Sequence, residues 1–270
     1  MALVNRDGVL QGQVAVVTGA SRGIGEAIAK RFAMEGAKVI ASARTVEASD
    51  HFLPGTIKQC AQDIVDAGGE AAAIRCNLAD ENDRRNLIEE TENLFGPVDI
   101  LVNNAAVTWF LPVVDFSEKR YRTMMDVQVY AAFELAQMVL PGMIERGRGR
   151  ILNVSSHAAL HPDAKAGGGR GGTVYGMCKA ALERFTTGLA QEVYGKGVGV
   201  NVISPGLVAT PGVVHHKLIN DTNRDRVTPV EHMAEACLRL CHGDPAEITG
   251  RIDFADQVIE EFKLEPAELV

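Results

Sequence analysis

The chain has 270 residues, of which 46% are hydrophobic, 23% charged and 5% aromatic. These are the proportions of an ordinary globular protein, and they exclude collagen-like, disordered and coiled-coil classes. Lysine and arginine number 27 against 35 acidic residues, a net charge of −8, which argues against a phosphate-tracking surface and against nucleic acid as a partner.

Short β-branched apolar runs alternate with amphipathic stretches along the chain, the pattern of a parallel sheet with crossover helices on both faces. Strands are expected at 14–18, 38–42, 71–75, 98–102, 150–154 and 198–203. Between them, Ala27, Ile28, Arg31 and Phe32 share one helical face, and Ala180, Ala181, Phe185 and Leu189 share another. No linker or solenoid repeat divides residues 1–270, so one domain is expected. Two stretches break the rhythm and are candidate lids. One is a glycine-rich loop at about 163–173, containing Gly167 to Gly172; the other is the polar 210–228, with His215 and His216.

The opening residues 1–8 lack the apolar core of a secretory signal, and no apolar run reads as long enough to span a bilayer, so a cytoplasmic protein without membrane partners is expected. The five cysteines are odd in number and scattered, the usage of reduced thiols. Cys237, Cys241 and His242 fall close together but lack a fourth ligand, so no metal is expected.

The first strand runs into Thr18-Gly19-Ala20-Ser21-Arg22-Gly23-Ile24-Gly25 and a helix expected from about Glu26. Amides at a helix N-terminus lack intrahelical partners and sit at the positive end of the dipole. Glycines let that backbone approach phosphate oxygens, so a pyrophosphate fits here. Further on come Asn103-Asn104-Ala105-Ala106 after the fourth strand, Ser155-Ser156 after the fifth, Tyr175-Gly176-Met177-Cys178-Lys179 opening a helix, and Pro205-Gly206 after the sixth. In this order and spacing, from about Val14 to Thr210, the chain resembles the short-chain dehydrogenase/reductase family.

The resemblance implies an α/β fold with a single Rossmann-like, doubly wound parallel sheet, and hydride transfer between a nicotinamide and a ketone or secondary alcohol. It places the dinucleotide on Gly19, Ser21, Arg22, Gly23, Ile24 and Gly25, with Asn104 and Ala105 beside it and Asn77-Leu78 at the adenine. Pro205, Gly206, the backbone of Val208 and the side chain of Thr210 would hold the nicotinamide. Where an acidic residue would select NAD, the second strand ends with Ala43 followed by Arg44. Arg44 and Arg22 place two guanidinium groups for a 2′-phosphate, so NADP(H) is preferred and NAD(H) is the alternative.

Tyr175 and Lys179 are four residues apart and share a helical face. An ammonium about 4 Å from a phenol at an effective dielectric of about 20 supplies roughly 4 kcal/mol, enough to bring a tyrosine from ~10 to about 7. The resemblance makes Tyr175 the general acid/base, with Lys179 also on the nicotinamide ribose and Ser156 on the substrate oxygen. Strand alternation turns Ser155 away. Cys178 lies about 100° round the helix from Lys179 and reads as packing; His157 and His161 read as loop residues.

Three departures stand out. Gln128 occupies the position of the family's catalytic, water-holding asparagine, Ala106 replaces a glycine, and the Ser156–Tyr175 interval is longer than usual. The end, 249–254, resembles the family's last strand and is followed by an acidic tail. A homo-oligomer, tetramer or dimer, acting on a small molecule is implied. The alternatives are a nucleotide-binding regulator with little turnover and, among enzymes, a 3-ketoacyl-thioester reductase.

Overall fold

In a computed structural model, which describes residues 4, 5, 7–167 and 171–270, seven strands form one parallel sheet in the order β3-β2-β1-β4-β5-β6-β9. These are β1 (Val14–Thr18), β2 (Lys38–Ala43), β3 (Glu70–Arg75), β4 (Ile100–Asn103), β5 (Gly149–Val154), β6 (Val198–Ser204) and β9 (Ile252–Phe254). Two-residue strands β7 (Leu207–Val208) and β8 (Val227–Thr228) pair apart from it. Helices follow as α1 (Gly23–Met34), α2 (Ile57–Asp66), α3 (Glu81–Phe95), α4 (Glu118–Met125), α5 (Ala131–Glu145), α6 (Thr173–Val193), α7 (Pro211–His215), α8 (Val230–Leu240) and α9 (Ala255–Phe262).

Alternation along the strands separates two cores. Ala15 and Val17 of β1 face a layer with Ile28 and Phe32 of α1, Ile64 of α2 and Met233 of α8, whereas Val16 faces Leu87 of α3, Leu135 of α5 and Leu189 of α6. Strand order runs one way from β1 to β2 and β3 and the other way from β4 to β6, so the chain reverses between β1 and β4. Val17 lies opposite both Ala41 and Val102 there. The crevice beyond the carboxyl ends of these two strands is where such sheets bind ligands.

The strands lie where periodicity places them, with shifted ends. β4 begins at Ile100 because Asp99 turns inward: its amide donates to the Val14 carbonyl at 2.9 Å and its carboxylate accepts from the Val14 amide at 3.1 Å. The strands β7 and β8 are too short to show a period, and 210–228, expected to be irregular, contains α7 and β8. On α6 the buried stripe is Cys178, Leu182, Thr186, Leu189 and Val193; on the face the sequence marks, Leu189 is buried, Phe185 packs partly on the same core, and Ala180 and Ala181 are half-buried. In the expected glycine-rich loop, Gly168, Gly169 and Arg170 lie outside the described residues.

One expectation is overturned. Residues Glu118–Glu145 form a single helix of 28 residues that is long and apolar enough to cross a membrane. Its apolar side chains Leu135, Ala136, Val139 and Met143 are buried in the sheet's core instead, and a five-residue π turn, Asp126–Tyr130, interrupts it.

Candidate active site

The phosphate turn is shaped by close backbone approach. Gly19 has φ +70°, and a Cβ there would lie 2.8 Å from Ala105 Cα. A Cβ on Gly25 would lie 2.3 Å from the Gly19 carbonyl oxygen and 2.5 Å from Asn104 Nδ2. Asn104 clips the end of β4 to this turn, its Nδ2 donating to the carbonyls of Thr18 at 2.9 Å and Gly19 at 3.3 Å. The Thr18 hydroxyl accepts from the amides of Asn104 and Ala105 and donates to Val102. Sequence reading passes over Thr18 as a site residue, although its place between the strand and the first glycine is a signal for such a hub. Arg22, at the cap of α1, makes no side-chain cap bond, so the amides of the first turn keep the character of an anion site.

At the adenosine end the two arginines have different surroundings. Arg22 donates to the carbonyls of Pro54 at 2.8 Å, Gly55 at 2.9 Å and Leu53 at 3.3 Å. It thereby fastens the segment after β2 onto the turn, where a Cβ on Gly55 would meet the Ser21 carbonyl oxygen at 2.3 Å. Burial pushes the Arg22 guanidinium pKa down, and the charge of Arg44 adds to that. Arg44 is exposed and, among the described residues, makes no ion pair or hydrogen bond. Burial, together with the charges of Arg22 and Arg44, also lowers the pKa of His51. After β3, the Asn77 amide donates to Asp83 at 2.7 Å, and the Asn77 side-chain oxygen accepts from Ala79 at 3.3 Å.

The other end is built on β5 and α6. Asn103 donates to Asn153, which donates to Thr186 of α6 at 2.8 Å, a fully buried chain across three elements. Ser155 turns away from the crevice and donates to Glu183 at 2.6 Å. Ser156 is half-buried, and its hydroxyl lies beside the Tyr175 phenol and lowers its pKa. Lys179 is fully buried, donates to the Val154 carbonyl at 2.8 Å and sits 5.6 Å from the Tyr175 ring centroid.

The pKa directions differ from the sequence expectation. Burial raises the Tyr175 phenol, outweighing Ser156, and lowers Lys179 to about 8. Desolvation disfavours the charged form of each group, and the ammonium faces a carbonyl rather than an acid.

Gln128 falls inside the π turn between α4 and α5, the kind of helix irregularity that recurs at functional sites. It is 2% exposed; its amide nitrogen donates to the Val107 carbonyl at 2.9 Å, and its side-chain oxygen is buried with no partner among the described residues. A buried amide oxygen left this way suits a bound water. Cys178 packs against Met124, Met125 and Val174.

Pro205 and Gly206 lead into β7, which β8 pairs, and Thr210 caps α7 by accepting from the Val213 amide. The Thr210 methyl lies 3.0 Å from where a Gly23 Cβ would be, so this segment leans over the phosphate turn. Phe110 lies edge-on to both Tyr175 and His216, with centroids at 6.1 and 5.6 Å, and His215 approaches Phe52 at 4.8 Å. The expected residues follow the carboxyl ends of the strands, with the glycines after β1, Arg44 after β2, Asn77 after β3 and Ser156 after β5, while Tyr175 and Lys179 lie in the first turns of α6 and Gln128 in the π turn before α5.

A family model described as short chain dehydrogenase matches residues 13–218. The chain is 33% identical over 245 residues to a 3-oxoacyl-[acyl-carrier-protein] reductase of Vibrio cholerae, covering 91% of this chain and 90% of that protein. It is 31% identical over 254 residues to the 7alpha-hydroxysteroid dehydrogenase of Escherichia coli, covering 90% and 92%. A solved 3-oxoacyl (acyl-carrier-protein) reductase from Agrobacterium tumefaciens with NADP bound has a TM-score of 0.79 and 29% identity, over 92% of this chain and 93% of that one.

Proposed function

The chain belongs to the short-chain dehydrogenase family, an oxidoreductase family acting on CH–OH/C=O pairs, and on that premise we propose that it is an NADP(H)-dependent reductase of ketones and dehydrogenase of secondary alcohols. The observation that carries the reading is the convergence of a buried phenol, a hydroxyl and a buried ammonium at Tyr175, Ser156 and Lys179. They stand at the same end of the sheet as the helix start of α1, whose turn packs closely on Asn104 and Ala105 at Gly19 and Gly25.

The groups present fit a dinucleotide. A Cβ at Gly19 or Gly25 would collide with Ala105, Asn104 or the Gly19 carbonyl, so only glycine gives the turn its close backbone path, and Arg44 is free among the described residues to meet a 2′-phosphate. Asn77 and Leu78 stand for the adenine, and Val208 and Thr210 for the nicotinamide amide. A bound nicotinamide supplies or accepts the hydride.

The chain's own part is proton handling and orientation. In reduction, Tyr175 holds a proton on its Oη and releases it to the substrate oxygen while Ser156 donates a hydrogen bond to the same atom. A phenol kept neutral by burial is in the acid form that this step needs. Lys179, largely charged at pH 7 with a pKa of about 8, stabilises the phenolate that remains. The unpartnered Gln128 oxygen holds a water that returns the proton.

The similar proteins named above act on 3-oxoacyl thioesters and on a steroid alcohol. We place this chain's substrate among small ketones and secondary alcohols, 3-ketoacyl thioesters included, and the protein in the cytoplasm as a homo-oligomer. A screen with NADPH and a panel of ketones, a 3-oxoacyl thioester among them, tests it by loss of nicotinamide absorbance. Turnover by the wild type that Tyr175→Phe abolishes is expected. NADPH binding with no turnover on any member would favour the regulator reading.

A further inference from the structure

Outside the crevice, a buried ion pair reaches the segment that the cofactor reading assigns to adenine. Arg84 of α3 is 3% exposed; its Nη1 donates to the Leu78 carbonyl at 2.6 Å and its Nε to the Glu134 carboxylate of α5. Glu134 is itself buried and accepts from the Tyr130 hydroxyl at 3.4 Å, and the Tyr130 ring lies 5.2 Å from the guanidinium. The preceding residue, Asp83, takes the Asn77 amide at 2.7 Å and is paired with Arg75 at 3.1 Å. Two neighbouring residues of one helix thus hold the amide of Asn77 and the carbonyl of Leu78.

The rest of the segment closes on itself. The Asp80 amide donates to the Asn77 carbonyl at 2.8 Å and the Ala79 amide to the Asn77 side-chain oxygen. Among the described residues, the amide left without an acceptor is that of Leu78, and the Asn77 side-chain nitrogen is likewise unengaged. The Leu78 N–H can donate to a ring nitrogen of adenine, and the Asn77 side-chain oxygen, which accepts from Ala79 through one lone pair, keeps a second lone pair to accept from the adjacent amino group. A flexible segment would lose that match, because each freed side chain must be re-ordered on binding.

We propose that Arg84, held by Glu134, is a positioning residue for the adenine end of NADP(H), acting through the Leu78 carbonyl. The assignment rests on the cofactor reading above. A buried guanidinium is a costly way to hold one carbonyl, but its fork meets Leu78 and Glu134 together. It ties the adenine segment to the helix whose preceding π turn carries Gln128.

Two variants test it. Arg84→Leu with Glu134→Leu removes the pair without stranding a buried charge. Arg84→Lys keeps the charge beside Glu134, but its compact ammonium does not span Glu134 and the Leu78 carbonyl as the two guanidinium nitrogens do. Calorimetry on the whole protein would compare NADPH, adenosine 2′,5′-bisphosphate and reduced nicotinamide mononucleotide, which lacks the adenosine. Both variants are expected to weaken the first two ligands about tenfold, roughly the worth of one hydrogen bond, and to leave the mononucleotide unchanged. Equal weakening of all three would make the pair mere helix packing, and unchanged NADPH binding would remove its role; either overturns the proposal. A wild type that binds no NADPH overturns the cofactor reading first, and this assignment with it.

Discussion

Replacing Lys179 with methionine should make the protein no less stable at neutral pH while disabling it. Folding lowers the Lys179 pKa from 10.5 to about 8, with burial as the cause. The unfolded chain therefore binds the proton more tightly than the folded one, and below pH 8 the folded state carries the full penalty. At about 1.36 kcal/mol per pKa unit this is about 3 kcal/mol, relieved as pH rises from 8 towards 10.5. Methionine removes the penalty but leaves the Val154 carbonyl, now bonded at 2.8 Å, without its donor, at a cost of about 1–3 kcal/mol.

The net effect at pH 7 is a gain of between about 0 and 2 kcal/mol. From pH 7 to 9 the wild type should recover about 1 kcal/mol relative to the variant. Buried thiols such as Cys60 and Cys76, raised to about 12, destabilise the fold as pH rises above the ordinary thiol value. They are common to both proteins and cancel in the difference. Urea unfolding of the two proteins at several pH values between 6 and 9 is the assay, with turnover expected to fall at least about a hundredfold. A variant clearly less stable at pH 7, or a difference that does not change with pH, would refute the reasoning.

The paired serines should separate cleanly. Ser156→Ala lowers kcat with little change in melting temperature, whereas Ser155→Ala, which strands Glu183, costs about 1 kcal/mol in stability and keeps activity. Tyr175→Phe should reduce kcat by about 10²–10⁴ while NADPH affinity holds, as binding titration beside steady-state kinetics would show. Arg22→Ala frees the 53–55 carbonyls; faster proteolysis there, and weakening of NADPH and NADH alike, are expected. Gly25→Ala puts a methyl 2.3 Å from the Gly19 carbonyl oxygen, so NADPH binding should fall at least about a hundredfold by fluorescence, and loss of less than threefold would mean that the turn yields easily.

What the sequence displays well is local. The glycine turn, the Tyr175–Lys179 spacing and the choice of Ser156 over Ser155 follow from periods of a few residues, and the fold follows from the repeated alternation of runs. What it hides depends on distant parts of the chain. Nothing local shows that Arg22 also meets the carbonyls of Leu53, Pro54 and Gly55, which folding brings against it. The Arg84–Glu134 pair joins residues 50 positions apart, and no local pattern marks it. The Tyr175 phenol goes up because burial, which depends on distant parts of the chain, outweighs the neighbouring Ser156 hydroxyl. The membrane-length helix, similarly, shows its place only once the sheet covers it.

The most direct test of the account is a fluorescence titration of the wild type and of Arg44→Asp with NADPH and, separately, with NADH. The account predicts that the wild type binds NADPH at least about tenfold more tightly, the worth of one charge-assisted contact to the 2′-phosphate, and that the variant loses or reverses this preference. Equal affinity for the two cofactors in the wild type, or binding of neither, would contradict it.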